Sequence, residues 1–209
     1  GLEAVRVRPG MYIGSTGSTG LHHCIWEILD NCIDESLAGY CKNIEIILHE
    51  DGSISIQDDG RGIPVDIHPT AKIPTLRVIY TILHAGGKEG AYQFAGGLHG
   101  VGASVVNALS EYLEVETYHD GKIYYDKYKK GKPTVTLDKN GNLKTKGKTS
   151  IKSGTKVTFK PDGTIFETTE FKHQIIYDHL KHTCYLNNQI TIRFIDEIEK
   201  TDDTFHFQN

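Results

Sequence analysis

The sequence lacks most of the features that would assign a 209-residue chain quickly. No apolar run approaches the ~20 residues a membrane-spanning helix needs, and no secretory leader pattern opens the chain. Its four cysteines, Cys24, Cys32, Cys41 and Cys184, stand far apart without a C-x-x-C pair. Neither a disulfide framework nor a zinc site is therefore indicated, and a reducing, cytoplasmic setting fits best. His179 and His182 lie three apart, but no further ligands follow at zinc spacing. The nucleophile elbow G-x-S-x-G is missing, as is the Walker A spacing G-x-x-x-x-G-K-[ST]. No G-x-G-x-x-G follows a strand pattern, which argues against a Rossmann unit, and no internal repeat is visible.

What is present suits one large domain or two small ones with length enough for a core. The composition, 38% hydrophobic and 24% charged, is that of a globular chain. It opens at Gly1 without a methionine, so an excised single domain over 1–209 is expected. Charge is uneven: from Lys122 to Lys160 twelve lysines face only Asp126 and Asp138, a local +10 within an overall −4. Such a basic stretch suits either a polyanion partner or lysine-blunted sheet edges.

Residues 1–20 read as loop, since "RPGMYIGSTGSTG" is rich in glycine. An amphipathic helix around Trp26 follows and stops near Gly39. "NIEIILHE" (43–50) and "SISIQDD" (53–59) are strands joined at Asp51-Gly52. "PTLRVIYTILHA" (74–85) and "ASVVNALS" (103–110) read as helices. Strand patterns then recur at "LEVETYH", "KIYYDKY", "PTVTLD" (133–138), "TKVTFK" and, after a helix near 168–184, "ITIRFID". The expected class is α+β, helices packed on one face of a mixed sheet.

Three features carry chemistry. Along the Trp26 helix, Ile25, Ile28, Leu29, Cys32, Ile33 and Leu37 form the stripe to be buried. Glu27, Asn31, Asp34 and Glu35 gather opposite it with no lysine spaced to pair with them. Second, residues 86–102 hold seven glycines, and "GGLHGVGAS" leads straight into a helix. Backbone N–H groups at a helix N-terminus make a cradle for phosphate, and the run before it is long enough to act as a lid. Third, strand alternation sets Asp58 in line with Ile54 and Ile56, where an acid is costly without a donor partner. Thr155 lies likewise in line with Val157 and Phe159. "DGRGIP" adds two glycines that let a flat ring approach the backbone, with Arg61 between them.

Taken in order, "EILDNCIDE", "DDGRGIP", "GGLHGVGASVVNALS" and "SGTKV" resemble the GHKL ATPase superfamily. With "RPGMYIG", "LHH", "QDDGRGIP" and "HAGGK", essentially the whole chain is similar to the ATPase domains of bacterial type II topoisomerases, the gyrase B family. Topoisomerase IV is its close sister, and "DDGRGIPVDIH" leans toward gyrase. The resemblance implies a Bergerat two-layer α+β sandwich that binds ATP and Mg²⁺. Glu27 would be the general base and Asn31 the Mg²⁺ ligand, while Glu35 would pair with Arg61. Asp58 would accept the adenine amine, with Gly62 and Thr155 assisting through water. Ile63, Pro64, Ile79 and Val157 would line the ring. Lys88, Gly97, Leu98, His99, Gly100, Val101, Gly102 and Ala103 would hold the phosphates.

The resemblance also implies partners: the A subunit of gyrase together with duplex DNA in the holoenzyme, a second B subunit on ATP binding, and adenine-pocket gyrase inhibitors. A bacterial, nucleoid-associated location without a membrane goes with it. The family's N-terminal arm and downstream transducer domain are not represented in the 209 residues. A fragment that binds ATP, hydrolyses it slowly and stays monomeric is therefore expected. His119 stands where many relatives carry arginine at the pocket mouth.

Overall fold

The computed structural model describes residues 1–83 and 102–208. Nine strands among them form one sheet: β1 (Asn43–Leu48), β2 (Ile54–Asp58), β3 (Ser110–His119), β4 (Lys122–Lys129), β5 (Lys132–Pro133), β6 (Thr145–Lys148), β7 (Gly154–Pro161), β8 (Thr191–Asp196) and β9 (Thr201–Phe205). Their order is β5-β4-β3-β7-β2-β1-β8-β9, with β6 also paired to β4. Every pairing is antiparallel except β1 with β8. Six helices accompany them: α1 (Glu3–Val7), α2 (Gly10–Ile13), α3 (Ser18–Leu37), α4 (Thr75–Thr81), α5 (Gly102–Ala108) and α6 (His173–Leu186). No helix among the described residues is long and apolar enough to cross a membrane.

Period-2 burial along β1 turns Ile44, Ile46 and Leu48 inward, where they meet Ile25, Ile28 and Leu29 of α3 in one core. Val106 of α5 and Ile176 and Leu180 of α6 join the same cluster, as do Val157 and Phe159 of β7. The resulting α+β sandwich carries its helices over one face of a mixed, mostly antiparallel sheet. Tight turns set the register. Asp120-Gly121 and Lys130-Gly131 each place two consecutive residues at positive φ, the turn that suits the twist of a two-residue hairpin. At the β1–β2 turn the Asp51 carboxylate accepts the Ser53 N–H at 2.9 Å.

Several expectations are corrected. Residues 1–20 are not all loop. Pro9 sits at the N-cap of α2 with φ −60°, and α1 is pinned where Arg6 donates to the Ala108 carbonyl at 2.8 Å and to Asp162 at 2.9 Å. The helix expected over 74–85 is α4, which ends at Thr81 because Ile82 turns extended. "PTVTLD" contributes only Pro133 to a strand; Thr134–Asp138 alternates in sequence but has no ladder partner. Leu37, assigned to the buried stripe, is 67% exposed, since the last turn of α3 runs past the core to Gly39 at φ +92°.

The lysine-rich region is partly neutralised from outside. Lys146 pairs with Glu114 and with Glu116 on β3. Asp126 is committed to the interior, where Arg77 donates to it at 2.9 and 2.8 Å and the Tyr128 hydroxyl at 2.6 Å. Arg77 also donates to the Val135 carbonyl at 2.7 Å. Lysine keeps the charge but not the fork. Arg77→Lys should therefore lower stability by about 1–2 kcal/mol in denaturant unfolding. An unchanged midpoint would mean that the bidentate geometry contributes nothing.

Candidate nucleotide site

The polar face of α3 opens onto a cleft between that helix, the β2–β7 part of the sheet and α4. Asn31 and Glu35 line it together with Asp58, Gly62, Ile63, Ile79, Thr155 and Val157. Ile28, Cys32 and Ile56, which the sequence assigns to the core, and Tyr80 complete the wall. Pro64 follows at the exposed rim and is not among the lining residues. Lys88, Gly97, Leu98, His99, Gly100 and Val101 lie outside the described residues, as does the lid segment. Gly102 and Ala103 are described: both are buried in the first turn of α5.

Asp58 forms the polar floor. It pairs with Thr155 across β2–β7, and the strands approach so closely at Gly154 that any Cβ there would overlap the Asp58 carbonyl. One carboxylate oxygen accepts the Gly60 N–H at 2.8 Å; the other accepts the Cys32 thiol at 3.4 Å. Burial outweighs these bonds and pushes the carboxyl up to about 6, with Glu35 and Asp59 adding repulsion. The Cys32 thiol is raised in turn, first by burial and then by Asp58. A half-buried acid with one backbone donor and one weak thiol donor, lining a mainly apolar cleft, is ready for a further donor.

Glu35 is only 5% exposed, although the helical wheel sets it on the polar face. It accepts the Arg61 N–H at 2.6 Å and the guanidinium at 3.2 and 2.8 Å. Arg61 points outward, its guanidinium carbon 3.9 Å from the centre of the Tyr40 ring. This pair braces the loop after β2 against α3 and leaves the cleft itself free.

Glu27 lies two turns before Glu35, beside the start of α5. His23, one turn earlier, reaches it with Nε2 2.7 Å from the carboxylate. Sequence reasoning passed over His23, and its i, i+4 spacing to Glu27 is the signal that could have found it. On the other side, a Cβ at Gly102 would overlap the Glu27 carboxylate. Gly102→Ala should therefore displace Glu27 and cut any turnover that depends on it by about 100-fold. Steady-state phosphate release on a variant with unchanged circular dichroism tests this, and wild-type turnover would refute it. Among the described residues no group of three or more His, Cys, Asp and Glu side chains could hold a metal. The Asn31 amide is the neutral oxygen that the cleft offers to a cation shared with a phosphate.

A half-buried acid at the end of β2 facing an apolar slot, with the Glu27 carboxylate of α3 beside the start of α5, is an arrangement for a purine nucleotide. The family comparison agrees: residues 16–165 match the model of the Histidine kinase-, DNA gyrase B-, and HSP90-like ATPase family, and the chain belongs to that family. It is similar to the DNA gyrase B subunit of Thermotoga maritima, 52% identical over 99% of this chain and 32% of the relative. It is also similar to the DNA topoisomerase 4 B subunit of Streptococcus pneumoniae, 50% identical over 100% of this chain and 32% of that one. The 43K ATPase domain of Thermus thermophilus gyrase B, solved in complex with an aminocoumarin, superposes with a TM-score of 0.86 at 42% identity. That match covers 99% of this chain and 51% of the solved one. The chain thus spans about a third of the length of the curated relatives it matches.

Proposed function

We propose that this chain is the ATP-binding and ATP-hydrolysing domain of a gyrase-type B subunit. The observation that carries the reading is Asp58, a half-buried acid whose carboxyl is pushed up by desolvation and which lines a mainly apolar cleft. Adenine supplies what that side lacks, an exocyclic amine to donate, and its ring fits between Ile63, Ile79 and Val157. Thr155 and the Gly62 backbone stand where a bridging water could complete the recognition.

From the adenine floor the polar face of α3 leads past Asn31 to Glu27 and the start of α5. Mg²⁺, held by the Asn31 amide oxygen, would supply charge neutralisation at the phosphate oxygens. Glu27 would take the proton of the attacking water, and His23 holds that carboxylate in one orientation. Gly97 to Ala103 and Lys88 would surround the phosphates.

In the full-length protein, nucleotide binding would drive pairing of two B subunits with capture of a DNA segment, while the A subunit cleaves duplex DNA. The sister reading, topoisomerase IV, is favoured slightly less, its relative standing at 50% identity against 52%. Supercoiling against decatenation in the reconstituted holoenzyme separates the two. The ATP reading is tested by calorimetric titration of a non-hydrolysable ATP analogue with and without Mg²⁺. Mg²⁺-linked binding is expected. No binding of either the analogue or an adenine-pocket gyrase inhibitor would overturn the reading.

A further inference from the structure

We propose that Thr117 is a positioning residue of the purine slot. Its hydroxyl ties together two walls of the cleft and, with His119, sets where the Gly62–Ile63 peptide stands. The inference rests on the nucleotide reading of this cleft.

Residues 59–64 leave β2 and run without a strand partner, so side chains must hold their backbone. Asp58 takes the Gly60 N–H and Glu35 the Arg61 N–H. The next link comes from β3, a strand that does not itself line the cleft. There Thr117 is fully buried, in line with Leu113 and Val115.

Its hydroxyl oxygen accepts the Ile63 N–H at 2.9 Å and donates to the Gly154 carbonyl at 3.1 Å. The assignment is forced, because an amide N–H can only donate and a carbonyl can only accept. His119 Nε2 lies 2.7 Å from the Ile63 carbonyl and must carry the proton there. The Ile63 residue is therefore gripped at both its N–H and its C=O.

The seating is close as well as bonded. Gly62 stands at φ +84°, and a Cβ there would come within 2.7 Å of the Thr117 oxygen and 3.0 Å of the His119 ring. Gly62 and Ile63 form one wall of the cleft, and Gly154 leads directly into Thr155 and Val157 on another. One hydroxyl thus bridges the loop wall and the strand wall, and its two bonds fix the gap into which a flat ring must slide. Glu27 and α5 take no part in this bridge, so the phosphate end is independent of it.

Valine matches threonine in shape but removes both bonds. Thr117→Val should raise the KM for ATP, and the Kd of a non-hydrolysable analogue, by about 10-fold. Its kcat at saturating ATP should stay within about twofold of wild type. Thr117→Ser, which keeps the hydroxyl, should bind nucleotide within about twofold of wild type.

Amide exchange on the ligand-free protein examines the bridge separately: Ile63 should lose protection in the valine variant and keep it in the serine variant. If Thr117→Val does not fold, His119→Phe probes the other half and should raise KM in the same direction. Unchanged Ile63 exchange, unchanged KM, a loss in kcat instead of KM, or a serine variant as impaired as valine would each overturn the proposal. A wild type that binds no nucleotide while Ile63 exchange responds as stated would instead overturn the nucleotide reading and, with it, the role in a purine slot.

Discussion

Asp58→Asn should weaken binding of a non-hydrolysable ATP analogue by about 100-fold and at the same time make the ligand-free protein harder to unfold. Both effects come from one carboxylate. Its two oxygens accept from Gly60 and Cys32, and both neighbours are donors. An asparagine must turn its NH₂ either onto the Gly60 N–H, where donor meets donor, or toward the cleft, where it meets the adenine amine. Recognition fails in either orientation.

The stability effect follows from the raised pKa. The folded value of about 6 lies above the ordinary 3.8, so between these the folded state binds the proton more tightly than the unfolded chain. Stability associated with this group is fully present below pH 4 and is lost as pH rises toward 6. About two units correspond to about 3 kcal/mol at most, and the open side of the cleft reduces that to about 1–2 kcal/mol. Denaturant unfolding of both proteins at pH 4 and pH 7 reads this directly. The asparagine variant should lead at pH 7 and the difference should shrink at pH 4. A variant less stable than wild type at pH 7 would remove the view that the fold holds this charge at a cost for the sake of its ligand.

The second large effect concerns turnover. Glu27→Gln should lower steady-state phosphate release by about 10²–10⁴-fold, the usual contribution of a positioned base, with analogue binding changed by no more than about threefold. Glutamine keeps the volume beside Gly102 and can still meet His23, so the fold and the phosphate path are preserved. A variant that retains more than a tenth of the wild-type rate would show that another group takes the proton. Loss of binding together with rate would move Glu27 from chemistry to ligand contact.

Much of this arrangement was legible from residue order because its elements obey strong local rules. The period of α3 placed Glu27, Asn31 and Glu35 on one face, and Asp51-Gly52 marked the turn after β1. A polar residue in line with apolar ones drew attention to Asp58 and Thr155. Thr117, in line with Leu113 and Val115, carries the same signal. Other features depend on what the chain meets across space. Glu35 is buried because Arg61 arrives from another element, and the alternation of 134–138 forms no strand because no partner lies alongside. Helices α1 and α2 were hidden by glycines and by a proline that sits at a helix start, and the contacts of Arg6 with Ala108 and Asp162 are over a hundred residues away in sequence.

Helix α3 works as a ruler. Glu27, Asn31 and Glu35 are graduations four residues apart, so each step advances about 6 Å along the axis and turns only about 40°. The spacing between base, cation ligand and loop brace is thus written in peptide units and cannot be adjusted by side-chain motion. A single residue inserted anywhere between 27 and 35 would rotate everything beyond it by about 100°, sending Glu35 away from Arg61 while Glu27 stayed in place.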